Sequence, residues 1–430
     1  MSTTETATRE RVPAPTGDVG TPPRRSLTPL LVLLGPGLMV MLADTDAGSI
    51  ITAAQSGARF GYSMLLPQLL LIPILYGIQE ITVRLGIYTR QGHGALIRDR
   101  FGAGWALLSV LTLFVSCLGA LITEFAGIAG VGELFGLPRA LTVGAAAALL
   151  IGLVVTEGYS RVERIGIAVG LLEFLFIPAA LLAHPHPAAI ARGLATLPVA
   201  HEEYVLLLAA NVGAVIMPWM VFYQQGAVID KGLGRRQLRV SRWDTLIGSV
   251  VTQVIMGAVV VATAATIGVA HPGQTLSTVG DIARGLAPFL GRDSARALFG
   301  LGLVGAAFVA ALVVSLAGAW GVSEVFGWRH SLDDPLPRAR RFYWLYSLAI
   351  AGGAAVVLLG GNLVDVSVDV EVMNAMLLPI VLGFLLLLEA RVLPEGERMR
   401  GPWKLLVWAM AGVVMLLGAY IGVATLFSAL

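Results

Sequence analysis

The sequence predicts an all-α membrane protein of two inverted five-span repeats followed by an eleventh helix. Three observations carry that prediction. Of 430 residues, 57% are hydrophobic and only 13% charged, about half the charge of a typical soluble domain, which carries about 25%. Mean hydropathy is +0.82. Two apolar segments, five spans apart, are interrupted by groups that a continuous membrane helix disfavours.

Apolar runs of about 17–25 residues mark membrane helices. Eleven are expected, at 28–54, 63–88, 104–130, 140–158, 162–183, 203–229, 244–268, 295–324, 341–360, 369–390 and 402–428. With the N-terminus cytoplasmic, 23 of the 29 Lys and Arg residues fall on the cytoplasmic side. Basic residues favour that side of a membrane, so an odd span count leaves the C-terminus external. Residues 1–26, "MSTTETATRERVPAPTGDVGTPPRRS", are polar and rich in Pro and Thr. They are expected to form a disordered cytoplasmic tail ahead of a transporter domain at 27–430.

Other classes are excluded by composition. The one cysteine, Cys117, rules out an internal disulfide and a cysteine-based metal site. The basic run "DKGLGRRQLRVSRW" after span 6 is read as an anchor beside anionic lipid, and no nucleic-acid partner is expected. The six histidines are expected in loops or at span ends, in contact with water. No enzyme chemistry, cofactor or obligate protein partner is indicated. An intramembrane aspartyl protease would need two aspartates sharing a proton, and its paired motifs (YD and GxGD) are missing.

Span 1 carries Gly35-Pro36-Gly37 near its start and then "LADTDAGSIIT", two carboxylates at bilayer depth. A charge there costs about 2.5–3.5 kcal/mol on insertion scales. Span 6 reads "LLLAANVGAVIMPWMVFYQQG", with Gly213 and Pro218 flanking Met217. Proline removes a helical hydrogen bond and glycine eases unwinding. Such breaks survive in a bilayer only where backbone lines a cavity or is buried in protein. Breaks at corresponding places in inverted repeats point to a midplane substrate site.

A cation offsets the cost of burying an acid among unwound carbonyls. Asp46 and Ser49 offer hard oxygens, Met217 a soft thioether, and the carbonyls near Ala43 and Ala214 can complete a shell. Oxygen donors suit Mg²⁺ or Ca²⁺, whereas a thioether favours softer transition metals. The expected partners are therefore divalent metal ions, as transported substrate, and the lipid bilayer. An organic-solute carrier of the same architecture is the main rival, but Asp46 would repel a substrate carboxylate at the break. On a helix Asp44 points about 200° away from Asp46, so it is expected to line an outer vestibule or pair with a basic group.

These motifs resemble the NRAMP divalent-metal transporters. The resemblance rests on GPG, followed by Asp46-Ala47-Gly48-Ser49 where the family has DPGN, then Phe60-Gly61-Tyr62. "GAVIMPWMVFY" is similar to the family's GATVMPHN, and "RLGI", "ELFGLP" and "LLP" add weaker support. The resemblance implies a leucine-transporter-like inverted repeat of 5+5 spans. It also implies a site in which Asp46, Met217 and the Ala214 carbonyl bind metal, Ser49 replaces an asparagine, and Glu371, eight residues before Pro379 (or neighbouring Asp369), takes the place of a span 10 glutamine near the metal. Trp219 takes the place of a histidine and Leu121 that of an aspartate, both tied in the family to proton movement. Glu124 is retained. The pattern looks like an NRAMP-related branch importing Mn²⁺ or Mg²⁺ without obligatory proton coupling. A proton-coupled Mn²⁺/Fe²⁺ symporter is the alternative.

Overall fold

Helix and turn follow the apolar pattern closely. The structure is a computed structural model that describes residues 35–360 and 363–428. Both the expected tail and the start of span 1 at 28–34 lie outside the described residues. Ten helical stretches are long and apolar enough to cross a membrane, one of them running through spans 1 and 2 as Ala47–Thr89. With the short helix Pro36–Asp44 counted as the first part of span 1, the eleven expected spans are all present. No strand occurs among the described residues.

Both expected breaks occur. Span 1 consists of Pro36–Asp44 and Ala47–Phe60, separated by Thr45 and Asp46. Span 6 consists of Glu202–Val215 and Pro218–Asp230, separated by Ile216 and Met217. Pro218 accounts for the second break. It forces the preceding residue towards extended backbone, and Met217 has φ −96° and ψ 144°. Span 1 lacks a proline at the matching place. There Asp46 is extended (φ −69°, ψ 175°), and its side chain caps the next helix by accepting from the Ser49 N–H.

Gly213 is not part of the span 6 break. It lies inside Glu202–Val215, where an added Cβ would collide with the Glu371 carbonyl oxygen of span 10. The glycine therefore lets two helix backbones touch, a packing role and not an unwinding one. Gly35-Pro36-Gly37 likewise starts a helix, with Gly35 as N-cap and Pro36 in the first turn, the favoured place for proline. The freed N–H groups of Gly35, Gly37 and Leu38 all donate to Asp244 of span 7, at 3.2, 2.8 and 3.1 Å.

Span 5 is irregular in a way that its apolar pattern hides. Helices Tyr159–Gly170 and Phe176–Leu182 are joined by the 3₁₀ stretch Leu171–Leu175. That stretch buries Glu173 completely. The basic run after span 6 is engaged by protein: Lys231 pairs with Glu163 at 2.8 Å, Arg242 with Glu80 at 2.8 Å, and Arg235 sits over the Tyr88 ring.

His93 departs from the expectation of a solvated ring. It begins the short helix His93–Phe101, is fully buried, and packs edge-on to Phe222. Its Nδ1 lies 3.3 Å from Gln225 Oε1, and burial holds its pKa down at about 4. The other five histidines are exposed or half-buried. Cys117 is a buried free thiol.

Candidate metal centre

The two breaks meet side by side, and each leaves a carbonyl without its helical donor. In a continuous helix the Ala214 carbonyl would accept from residue 218, but Pro218 has no N–H. It accepts instead from the Ser49 hydroxyl at 2.8 Å, joining span 1 to span 6. In span 1 the Ala43 carbonyl would accept from Ala47. The Ala47 N–H is diverted to Glu124 Oε2 at 3.0 Å, so Ala43 is left in the same condition. Where the resembling family has proline, this chain has an alanine whose N–H needs an acceptor, and Glu124 supplies it.

Asp46 lies at the centre. Its Oδ1 accepts from Ser49 N at 2.6 Å, while Oδ2 is buried with no hydrogen-bond partner. Glu371 of span 10 closes one side. Its Oε2 accepts from Asn374 Nδ2 at 3.0 Å, and its Oε1 has no partner. A Cβ added at Gly48 would strike that same Oε1, so the Glu371 carboxylate lies directly against the first turn after Asp46. Asp369, the neighbouring alternative, is exposed.

Met217 caps the second half of span 6, and its Sδ accepts from Trp219 Nε1 at 2.9 Å. Asp46, Ser49, Ala43, Ala214, Met217 and Glu371 are all 0% exposed, so the site is closed to both sides. Among the described residues, no three His, Cys, Asp or Glu side chains gather closely enough to hold a metal alone. The other donors that border the breaks are a hydroxyl, a thioether and backbone carbonyls.

Two further acids join the site, Asp44 against expectation and Glu173 without having been singled out from the sequence. Asp44 is fully buried with both oxygens unpartnered, in the field of Asp46, Glu371 and Glu173. It neither lines a vestibule nor pairs with a basic group, because the break at Thr45 and Asp46 removes the helical offset that would have turned it away. Glu173 is hydrogen-bonded to the Thr45 hydroxyl, and its Oε1 has no partner. The signal for Glu173 was an acid inside an apolar span; for Asp44 it was the break itself. Five buried carboxylates thus surround the span 1 break, and no Lys or Arg forms an ion pair with any of them among the described residues. Buried charge without a counter-charge is strongly unfavourable, so the arrangement favours a cation.

Leu121 lines an apolar cavity of about 230 Å³ between spans 3, 8 and 9, with Phe114, Cys117, Ser315 and Leu345. No Asp, Glu, His, Lys or Arg borders it.

Comparison with known proteins gives a consistent picture. The family model described as natural resistance-associated macrophage protein-like (Nramp) matches residues 37–424. The divalent metal cation transporter MntH of Acidiphilium cryptum is 28% identical over 404 residues, covering 90% of this chain and 89% of that protein. The MntH protein of Yersinia enterocolitica is 30% identical over 314 residues, covering 70% and 74%. A crystal structure of the Eremococcus coleocola manganese transporter superimposes with a TM-score of 0.75 at 19% identity, covering 92% of this chain and 87% of that one. MhsT in complex with L-phenylalanine shares the fold more distantly, with a TM-score of 0.64 at 14% identity over 91% of this chain and 98% of that one.

Proposed function

We propose that this chain, which belongs to the Nramp family, carries divalent metal cations across a membrane through the closed centre between spans 1, 6 and 10. One observation carries the reading: the Asp46 carboxylate, at an unwound junction, keeps a buried oxygen without a partner, and no Lys or Arg among the described residues forms an ion pair with it. We assign Asp46 as the charged ligand. Ser49, the carbonyls of Ala43 and Ala214, and the Met217 thioether complete the shell, with Glu371 as a second carboxylate. The MntH relatives are divalent metal cation transporters by name, which supports this substrate class. The distribution of Lys and Arg favours a cytoplasmic N-terminus, and an inside-negative potential drives a divalent cation inward.

Mn²⁺ fits the mixed donor set, because oxygen ligands suit it and a single thioether does not exclude it. Coupling is a separate matter. The apolar cavity at Leu121 and the indole at Trp219 support uptake without obligatory protons. The buried acids Asp44, Glu173 and Glu371 favour the second reading, a proton-coupled symporter, since each is able to hold a proton when no metal is bound.

The test is uptake of Mn²⁺, Mg²⁺, Ca²⁺ and Cd²⁺ into proteoliposomes, each competed against the others. Saturable Mn²⁺ entry displaced by other divalent ions is expected. Entry of an amino acid or amine with no divalent transport would establish the organic-solute alternative instead.

A further inference from the structure

We propose that Trp219 is a selectivity residue: its indole N–H, by engaging the Met217 thioether, weakens that sulfur as a metal donor and biases the site towards oxygen-seeking ions. The proposal rests on the assignment of the metal site above. It starts from the 2.9 Å contact between Trp219 Nε1 and Met217 Sδ. Both side chains are 0% exposed, so neither group has water as an alternative partner.

The local backbone creates the contact. Met217 is extended, Pro218 opens the following helix, and Trp219 comes next in its first turn. That order lets the indole reach back over the break to the sulfur two residues earlier. An indole N–H is a donor only, and a thioether is a weak acceptor. A buried N–H left without an acceptor costs its full desolvation penalty. A metal that recruits the sulfur must therefore share it with the indole or displace the indole altogether.

That cost falls unequally on different ions. A soft ion such as Cd²⁺ gains most from sulfur and loses most when the sulfur is engaged; Ca²⁺ gains little from it in either case. The two carboxylates, by contrast, each keep an oxygen free of competition: Asp46 Oδ2 and Glu371 Oε1 have no partner. A methionine retained beside a tryptophan is thus a weaker sulfur ligand than a methionine with both lone pairs free. The tension between a soft donor and an otherwise hard site is resolved inside span 6.

The experiment measures Cd²⁺ and Ca²⁺ affinities of the purified full chain by calorimetry. Trp219→Phe removes the N–H and keeps aromatic bulk. It is expected to raise the preference for Cd²⁺ over Ca²⁺ roughly fivefold, the scale of one net hydrogen bond. With Met217→Ala already present, the same replacement should change the preference by less than about twofold, because the coupled partner is gone. An unchanged or reduced Cd²⁺ preference in Trp219→Phe alone would overturn the proposal. Should Trp219→Phe fail to fold, Met217→Ala alone decides. A loss of Cd²⁺ preference of only about twofold is expected from an attenuated donor, and a loss of about tenfold or more would mean a fully engaged thioether. No binding of any divalent ion by the unaltered chain would instead bring down the metal-site assignment, and this proposal with it.

Discussion

The Ser49 hydroxyl donates to the Ala214 carbonyl at 2.8 Å, so the two broken helices are joined through the very atoms proposed to bind metal. The bond satisfies a carbonyl that Pro218 deprives of its helical donor. It also holds the two breaks in register before an ion arrives. Binding then needs little rearrangement, which is how preorganisation raises affinity.

Ser49→Ala removes both a proposed ligand oxygen and this link. Mn²⁺ uptake should fall about tenfold, on the scale of one hydrogen bond plus one weak ligand. Ser49→Asn, which supplies a longer oxygen, should retain most of the activity. The check is initial uptake rate in proteoliposomes at matched protein density. Wild-type rates in Ser49→Ala would remove Ser49 from the site.

Asp46 has two functions that can be separated. One oxygen caps the second half of span 1 through Ser49 N, and the other faces the centre unpartnered. Asp46→Asn keeps an acceptor for the cap and loses the charge; Asp46→Ala loses both. Both variants should abolish divalent uptake. Only Asp46→Ala should also lower the melting temperature, by the ~1 kcal/mol typical of a lost cap. Normal Mn²⁺ transport by Asp46→Asn would show that the charge is not needed.

Much of this centre was legible in the sequence because its signals are local. Asp46 in an apolar span and Pro218 after Met217 mark the breaks by themselves, and the five-span offset pairs them. Glu371 needed a motif, since eight residues before Pro379 says nothing physical without one. What escaped depends on contacts between residues far apart in the chain. Gly213 reads as a helix loosener until the Glu371 carbonyl is found against it. His93 reads as a loop residue until Phe222 and Gln225 close over it. Glu173 is the one charged residue of span 5 beyond Arg164, and only its contact with Thr45 ties it to the site.

Asp244 illustrates the same limit and carries a prediction of its own. Its carboxylate takes three N–H groups at the start of span 1, from Gly35, Gly37 and Leu38. It therefore does for this helix what an N-cap side chain does, but from span 7. Asp244→Ala leaves those donors buried without acceptors, at a cost of about 1–3 kcal/mol. The expected result is a lower melting temperature and a first part of span 1 that exchanges amide hydrogens faster. Hydrogen exchange measured by mass spectrometry checks both the place and the size of the effect. Unchanged protection over residues 35–44 would show that the helix start is held by other contacts.

The last prediction concerns the driving force. A divalent ion crossing alone carries two charges, each worth ~2.3 kcal/mol per 100 mV of membrane potential. An inside-negative potential therefore suffices to accumulate it. Trp219 cannot titrate, and the cavity beside Leu121 has no acid or base at its border, so the route used for protons in the resembling family lacks two of its groups. Against this stand Glu124, Glu371, Glu173 and Asp44, all buried around the break. If these acids bind protons between transport cycles and pass them inward with the metal, Mn²⁺ entry will acidify the vesicle interior. If they serve only to attract and hold the cation, the interior pH will not move. Proteoliposomes loaded with a pH dye, given a Mn²⁺ gradient and a clamped potential, separate the two. The expected outcome is Mn²⁺ entry that grows with inside-negative potential while the dye stays silent. Acidification that depends on Mn²⁺ and persists in the presence of a potassium ionophore would assign the chain to proton symport. Glu173→Gln and Glu371→Gln would then locate the proton by abolishing the dye signal before they abolish metal entry.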